Sequence, residues 1–581
     1  MYLRTVSSGR HEYVQMCHNY REGGSGPSRT RVLFSFGRKD ELDVEALRRL
    51  VSSISRYLDP AEAAEVRAAA GVELGARFLG AKHLGGTHLL DGVWQRLGIA
   101  AGLGKLLAER GYRTPVERLL FALVANRALD PGSKLAVESW VADEAHVESL
   151  PEVDVHQLHR AMDFLLEAHD EIQREVFWSV ANLFNLEVDL LFLDTTTAYF
   201  EIEGEDEDVL GDDSDAVGDA AGDEAGDAVG DAVGDEVVSG LRKRGHSKDS
   251  RPNLAQVVIG FAVTRDGIPV RCWVWPGNTA DVNVVEEVKR DLNEWKLGRV
   301  MLVMDAGFNS ETNRRILQGA GDSFIIGERL RVGSKGAVVE AAQRAGRYKI
   351  LDSGLRVKEV TTAQGSVAAR RFVIVHNPEQ ERFDRERRDD IVRETERRLA
   401  ELGDLTGKAH SKAACALRAH PTYGRYVRQS KTGKLAINRS KVATEAKLDG
   451  KFLVSTSDPH LSTEDIALGY KQLHEIERVN RDLKHTVDIR PVHHRREDRI
   501  RAHVLLCWLA LLLIRVIEND SQATWHQLKK LLRPLMVAQH ATKHGLVSET
   551  NALTSEQRRV LNTLRVKPPA RFPNVPTATN L

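Results

Sequence analysis

Three carboxylates carry the first chemical signal in this sequence. Asp194 closes the apolar run LLFLD and Asp305 closes MLVMD, each after four consecutive apolar residues. Such runs read as strands buried on both faces, and in open α/β sheets functional sites gather at strand ends. The third, Glu477, lies in YKQLHEIERVNRDLK at 470–484. On a helix, Glu477, Arg481 and Lys484 fall at i, i+4 and i+7 and share one face, with Tyr470 and His474 at i−7 and i−3. Carboxylate oxygens are the hard donors that Mg2+ and Mn2+ take. A plainer alternative stands beside each residue: an Asp at a strand end also caps the next turn, and a charged helix face is often only solvated. Two features shift the set towards function. Both aspartates follow buried runs, and the Glu477 helix sits between a strand and the basic stretch RPVHHRREDRIR at 490–501.

The surrounding elements must place these side chains. Residues 1–40 are predicted to form a small β meander from YLRTV, HEYVQMCHNY and TRVLFSFG. Residues 41–183 read as helical, with Asp43 capping VEALRRLV and Pro115 in the first turn of the helix that carries RLLFALVANRAL. A helical domain of this size is suited to DNA binding or dimerisation. From 184 to 330 the pattern is strand, hairpin around Asp266-Gly267, helix, strand, helix, strand. That is the order expected of a ribonuclease-H-like α/β layer. Residues 331–448 read as a β-rich insertion that also carries charged helix, before the last acidic residue. The catalytic core resumes over 449–518 with GKFLVSTSD, and 519–581 holds C-terminal helices and a Pro-rich tail.

Charge needs to be read by distribution. The chain has 581 residues, 82 Lys+Arg and 83 Asp+Glu, for a formal net charge of −1. Taken whole, that balance argues against a nucleic-acid partner. Yet 16 of the acids lie in 201–236, which has no Lys or Arg, so the remainder sets 82 basic against 67 acidic residues. Gly-Asp recurs every four residues from Gly218 to Gly234, and such sequence buries too little apolar surface to order itself. It is expected to be a disordered loop insert over 203–238. The longest apolar run, Val504 to Ile514, spans 11 residues. A membrane span takes ~18 or more, so this run reads as a buried helix. Four scattered cysteines form no CxxC pair, and the N-terminus lacks an apolar leader, so a reducing cytoplasm, with no membrane partner, is the expected home.

The motifs resemble those of the DDE transposases of bacterial insertion sequences. More narrowly they are similar to the IS-four-like superfamily, in the long branch that begins YLRTV and carries GHSKD. Asp194-Thr195-Thr196 matches the first acidic strand, and Asp305-Ala306-Gly307-Phe308 matches the Asp-x-Gly-[Tyr/Phe] motif. Tyr470, Glu477 and Lys484 match the Tyr-x2-Arg-x3-Glu-x6-Lys signature, in which Leu473 stands where Arg is usual and His474 or Arg478 lies close enough to substitute. The resemblance implies that Asp194, Asp305 and Glu477 hold two Mg2+ (or Mn2+) ions per active site. It implies cleavage of the element's terminal inverted repeats and joining of the 3′-hydroxyls to target DNA, in a dimer or larger synaptic complex. Arg481 and Lys484 are then phosphate contacts, with Tyr470, His474, Arg478, Arg495 and Arg496 as further DNA-binding residues.

His246, Ser247 and Lys248 of GHSKD become a possible active-site loop, against the alternative of a solvated turn. His493-His494 reads as a DNA-facing or surface feature, and Gly277-Asn278-Thr279 as a turn. Residues 471–501 hold nine Lys/Arg against six acids, a density that favours phosphate neutralisation. Two other functions stay open on sequence alone: a ribonuclease-H-like nuclease without strand transfer, and a catalytically silent, domesticated DNA-binding protein. Deleting 203–236 should leave folding intact and tighten non-specific DNA binding at low salt; binding that is unchanged or weaker would show that the tract does not screen the basic body.

Overall fold

The computed structural model describes residues 2–21, 28–54, 57, 76–112, 114–184, 190–201, 204–210, 237–238, 240–295, 300–319, 323–330, 338, 341–342, 344, 346–362, 370–542 and 545–573. The Gly-Asp repeat and the end of the Pro-rich tail lie outside these residues. The chain divides into two compact units: Met1–Ala81 with Val537–Ala552 and Ala570–Leu581, and Lys82–Met536 with Leu553–Pro569.

In the first unit, Tyr2–Ser8, His11–Tyr20 and Arg29–Arg38 form an antiparallel sheet in chain order. The helix Val44–Ile54 follows, and Asp43 Oδ1 accepts the Ala46 N–H at 2.8 Å, the cap expected from sequence. A second sheet orders Gly545–Thr550, Met536–Thr542 and Ala76–His83. Its first member in chain order falls inside the stretch read as helical, and its hairpin inside the stretch read as C-terminal helices. Ala76–His83 has its partner, Met536–Thr542, more than 400 residues away in sequence, which local pattern does not reveal.

The second unit is built on one nine-stranded sheet. Its strands in chain order are Leu190–Tyr199 (β1), Gln256–Val263 (β2), Pro269–Pro276 (β3), Met301–Met304 (β4), Phe324–Glu328 (β5), Lys349–Ile350 (β6), Arg356–Thr362 (β7), Arg370–His376 (β8) and Lys451–Thr456 (β9). The spatial order is β6-β7-β8-β9-β5-β4-β1-β2-β3. β1 runs antiparallel to β2 and parallel to β4, and β4 runs parallel to β5. Three antiparallel strands leading into two parallel ones are the α/β layer read from the sequence. β2 is buried along its whole length, as an apolar run with both faces covered requires.

The insertion holds both strands and charged helix, as expected, but its strands are not separate from the core. β6, β7 and β8 extend the catalytic sheet through β9, and do not form a β module of their own. Beyond His376 the segment is mainly helical, with Pro378–Gly403, Gly407–Ala419 and Arg439–Ala446. The longest of these is laced with ion pairs at i,i+4, such as Arg385–Glu381 and Arg397–Glu401, and such pairs support a solvated helix. The acidic insert differs as well. Within the stretch expected to be disordered, Arg242 N–H donates to Asp206 Oδ2 at 2.8 Å, Lys243 pairs with Asp208 at 2.6 Å, and Val209–Leu210 pairs with Val237–Val238. Its acidic start therefore neutralises the basic residues ahead of GHSKD, and a deletion that spares these contacts is 211–236.

The helices from Gly85 to Phe184 share one hydrophobic core with the sheet, so the helical region expected at 41–183 is not a separate packing unit. The reason is Glu497–Ser521, buried on every side from Ile500 through Glu518. A helix apolar all round must be surrounded. Val116–Leu129 and Val155–Glu167 enclose it with β3 and the helix Leu473–His485. By length and composition it could cross a membrane, but 94% of its most apolar window is buried inside the protein.

One cation fastens this helix to the elements that carry the site. Arg515 is 1% exposed, and its guanidinium donates to Glu518 at 3.0 Å, Glu475 at 3.0 Å and the Gly267 carbonyl at 3.1 Å. Gly267 sits at φ 73° in the β2–β3 turn, and a Cβ there would meet Arg515 Nη2 at 2.4 Å. Replacing Arg515→Met would remove the buried cation between Glu475 and Glu518 while Glu518 keeps Arg478 and the Trp525 N–H, so unfolding should become easier by about 1–3 kcal/mol. Thermal or denaturant unfolding checks this, and a loss under ~1 kcal/mol would contradict the role given to the pair network.

Candidate active site

Parallel pairing of β1 with β4 aligns Leu193 with Met304, so the next residue of each strand is an aspartate. Asp305 leaves the end of β4, and its Oδ1 accepts the Gly307 N–H at 2.7 Å. Asp194 does not end its strand, as the sequence suggested. β1 runs on to Tyr199, so Asp194 sits mid-strand where its neighbour stops. The consequence is electrostatic. Burial first, then Asp305 and Asp281, push the Asp194 carboxyl up to about 6, against the opposing pull of Lys248.

Two residues join this site that the sequence had not marked. Asp281, at the start of a single 3-10 turn after Gly277-Asn278-Thr279, accepts from Thr195 Oγ1 at 2.5 Å. A Cβ on Gly307 would lie 2.9 Å from Asp305 Oδ1 and 3.1 Å from Asp281 Oδ2, so these acids flank that glycine. Asn480 donates its Nδ2–H to Asp194 Oδ2 at 2.8 Å, while its Oδ1 is buried with no partner. Its signal was visible in principle: an amide on the buried face otherwise formed by Ile476, Val479 and Leu483.

Of the GHSKD loop, Lys248 is the residue that reaches the carboxylates. Its ammonium donates to the Thr195 carbonyl at 2.7 Å and hydroxyl at 2.6 Å, and stands 3.7 Å from Asp194 and 3.5 Å from Asp281. Ser247 Oγ accepts from the Asp249 and Arg251 N–H groups and shapes the loop; the His246 side chain is exposed.

The expected helix over 470–484 breaks at Gln472, so Tyr470 belongs to Thr463–Lys471 and not to the helix Leu473–His485 that carries Glu477. Tyr470 still faces the site. Its hydroxyl stands over Gly327, and burial together with Asp305, Glu477 and Glu328 pushes it up to about 12. Glu477 is exposed, with no hydrogen bond or ion pair among the described residues.

The basic run is mostly neutralised inside the fold. Lys484 and Arg490 both pair with the buried Asp249, Arg478 pairs with Glu518, Arg496 with Asp498, Arg499 with Asp163 and Arg501 with Glu497. Lys484, Arg478 and Arg496, expected among the DNA-binding residues, are thus each ion-paired within the chain. Leu473 packs against the core, and His474, exposed, bonds the Lys471 carbonyl and Glu475, so neither it nor Arg478 offers a free charge in place of the missing Arg. Of the nine Lys and Arg at 471–501, Lys471, Arg481 and Arg495 keep exposed cations with no ion pair among the described residues.

The donor set fits a divalent cation in kind: the Asp305 and Asp281 carboxylates lie near enough to Asp194 to raise its proton affinity, beside the orphaned Asn480 carbonyl oxygen. No group of three or more His, Cys, Asp or Glu side chains among the described residues is gathered closely enough to hold one as the side chains stand. The Lys248 ammonium bridges the acids instead.

Comparison with known families now bears on this geometry. Residues 3–65 match the N-terminal domain of IS1634 family transposases, and residues 231–513 match the transposase DDE domain. The chain is a DDE transposase of an insertion sequence. Among solved structures, the piggyBac transposase synaptic complex with hairpin DNA is similar at 9% identity and a TM-score of 0.32, over 73% of this chain and 72% of that one. No curated protein matched. The transposase DDE domain covers Asp305 and Glu477, whereas Asp194 lies ahead of the matched residues.

The raised Asp194 pKa has a definite sign in the metal-free protein. Between its ordinary value near 4 and about 6, the folded chain holds a proton that the unfolded chain has lost, so stability falls as pH rises through that window. In EDTA, Asp194→Asn should remove this slope and stabilise the protein at pH 7 by on the order of 2–3 kcal/mol. Unfolding curves at pH 4, 5, 6 and 7 test it; parallel slopes in both proteins would refute it.

Proposed function

We propose that this transposase binds the terminal inverted repeats of its own element, cleaves the ends and joins the resulting 3′-hydroxyls to target DNA. The observation that supports this most directly is the lateral placement of Asp194 beside Asp305 by in-register parallel strands, with Asp281 and Lys248 at the same point. Asp194, Asp305 and Glu477 are the residues that would hold two Mg2+ or Mn2+ ions. Bound there, the metal supplies Lewis-acid activation of the attacking oxygen and stabilisation of the leaving one.

The chain's own groups do the rest. Asn480 fixes the rotamer of Asp194 through its N–H, leaving Oδ1 of that carboxylate directed towards Lys248. Lys248 offsets the repulsion between Asp194 and Asp281 and would donate to the scissile phosphate beside them. Arg481, one turn from Glu477 and free of acids, contacts the DNA backbone beside the site, and Arg495 extends that contact. Tyr470, held neutral as a phenol, donates a hydrogen bond where phosphate charge accumulates. Holding two ends at once requires at least two copies of the chain.

Repeat-end DNA incubated with Mg2+ tests this reading. Asp194→Asn, Asp305→Asn and Glu477→Gln should each reduce cleavage and joining by at least about a thousandfold, several kcal/mol of lost transition-state stabilisation. Full activity in all three would remove the site. Cleavage without joining would mark a nuclease instead. Arg481→Ala should weaken binding about equally for all sequences and lower the log–log salt slope by about one, with Arg496→Ala, already answered by Asp498, changing it far less.

A further inference from the structure

A cavity of about 410 Å3 lies between the turn after Val116–Leu129 and the start of Glu497–Ser521. Its lining is cationic, with Arg127, Lys134 and Arg490 beside the imidazoles of His159, His494 and His503. Arg490 is answered by Asp249. The other two cations are not answered. Arg127 is 8% exposed; it donates one N–H to the Gly132 carbonyl, and its Nε is buried with no acceptor. Lys134 is 5% exposed, and its Nζ meets His503 Nδ1 at 3.4 Å. Among the lining residues Asp488 is the one acid, and it is exposed at the rim.

Two buried cations without a carboxylate are costly, because desolvation removes their water and nothing replaces it. The neighbouring groups show the strain of that field. Burial, then Arg127, draws Lys134 down to about 7, and burial, then Lys134, draws His494 down to about 4. An anion entering from solvent would relieve all of them at once, and a tetrahedral oxyanion has enough acceptors for several donors. The cavity is also tied to the carboxylate site. Arg490 in its wall bonds Asp249, the residue after Lys248, whose ammonium reaches Asp194.

We propose that this cavity is a phosphate-binding subsite, held by Lys134 and Arg127, that takes one phosphate group. Its source is either the backbone of the DNA handled next door or free phosphate; the first source rests on the DNA reading above. The phosphate itself does not.

The test uses the full chain in sodium phosphate against sodium chloride at matched ionic strength. The wild type should gain about 2 °C in melting temperature at saturating phosphate. Lys134→Met should melt higher than wild type in chloride, having lost an unpaired buried charge, and gain nothing from phosphate. Asp194→Asn should keep the full response, which separates this site from the carboxylates. No phosphate-specific gain in the wild type, or the same gain in Lys134→Met, overturns the proposal. Should Lys134→Met not fold, 31P line broadening of inorganic phosphate by the wild type still decides, since its absence overturns the site. Salt titration of duplex binding then assigns the source. A slope lower by about 0.9 in Lys134→Met gives the DNA backbone, and an unchanged slope with a lost phosphate response gives free phosphate, leaving the transposition reading intact.

Discussion

The register between β1 and β4 is the constraint from which the proposed active site follows. Leu193 pairs with Met304, so the strands deliver Asp194 and Asp305 side by side. A one-residue slip in either strand would send its carboxylate to the opposite face, because side chains alternate along a strand. The two aspartates then differ only in where their strands stop. β4 ends, and Asp305 is exposed; β1 continues, and Asp194 is sunk among neighbours. That difference in solvation is what raises Asp194 to about 6 and makes an adjacent cation necessary. Lys248 supplies it in the structure, which explains why GHSKD packs where it does.

Charge in this protein is spent mainly on architecture. Asp249, with a side chain 3% exposed, binds Lys484 and Arg490 and thereby fastens the GHSKD loop to the helix bearing Glu477 and to the segment beyond it. Glu518 gathers Arg515, Arg478 and the Trp525 N–H, fixing the same helix to the buried core helix. The acidic start of the insert neutralises Arg242 and Lys243 in turn. What remains for DNA is a narrower set of exposed cations than the density of Lys and Arg suggests. Against that background, Arg127 and Lys134 are conspicuous as buried cations left without an acid.

Much of the sheet was legible because its signals are local. β1, β2 and β4 announce themselves as apolar runs, Asp266-Gly267 marks the hairpin, and Val504–Ile514 is too apolar for any surface. Asp194 and Asp305 were found for the same reason: each follows such a run. Asp281 was not, because in sequence it is one polar residue after a turn, and only the approach of Thr195 and Gly307 gives it a role. The strand Ala76–His83 was read as helix since its partner strand lies beyond residue 535. The insertion was read as β-rich because its first strands are, while the long helix that follows buries few side chains, Val392 and Leu402 among them, and otherwise shows charge.

Residue order by itself determined the chemistry available: which strands are buried, which carboxylates end or interrupt them, and that a basic body carries an acidic insert. Tertiary structure decided which charges are free. The helical spacing of Glu477, Arg481 and Lys484 is the same in any helix, but Asp249 claims Lys484 and leaves Arg481 exposed. Coulomb energy depends on distance and local dielectric, and neither is a property of spacing along the chain. The same argument applies to Lys134, an ordinary residue in sequence that folding buries among other cations.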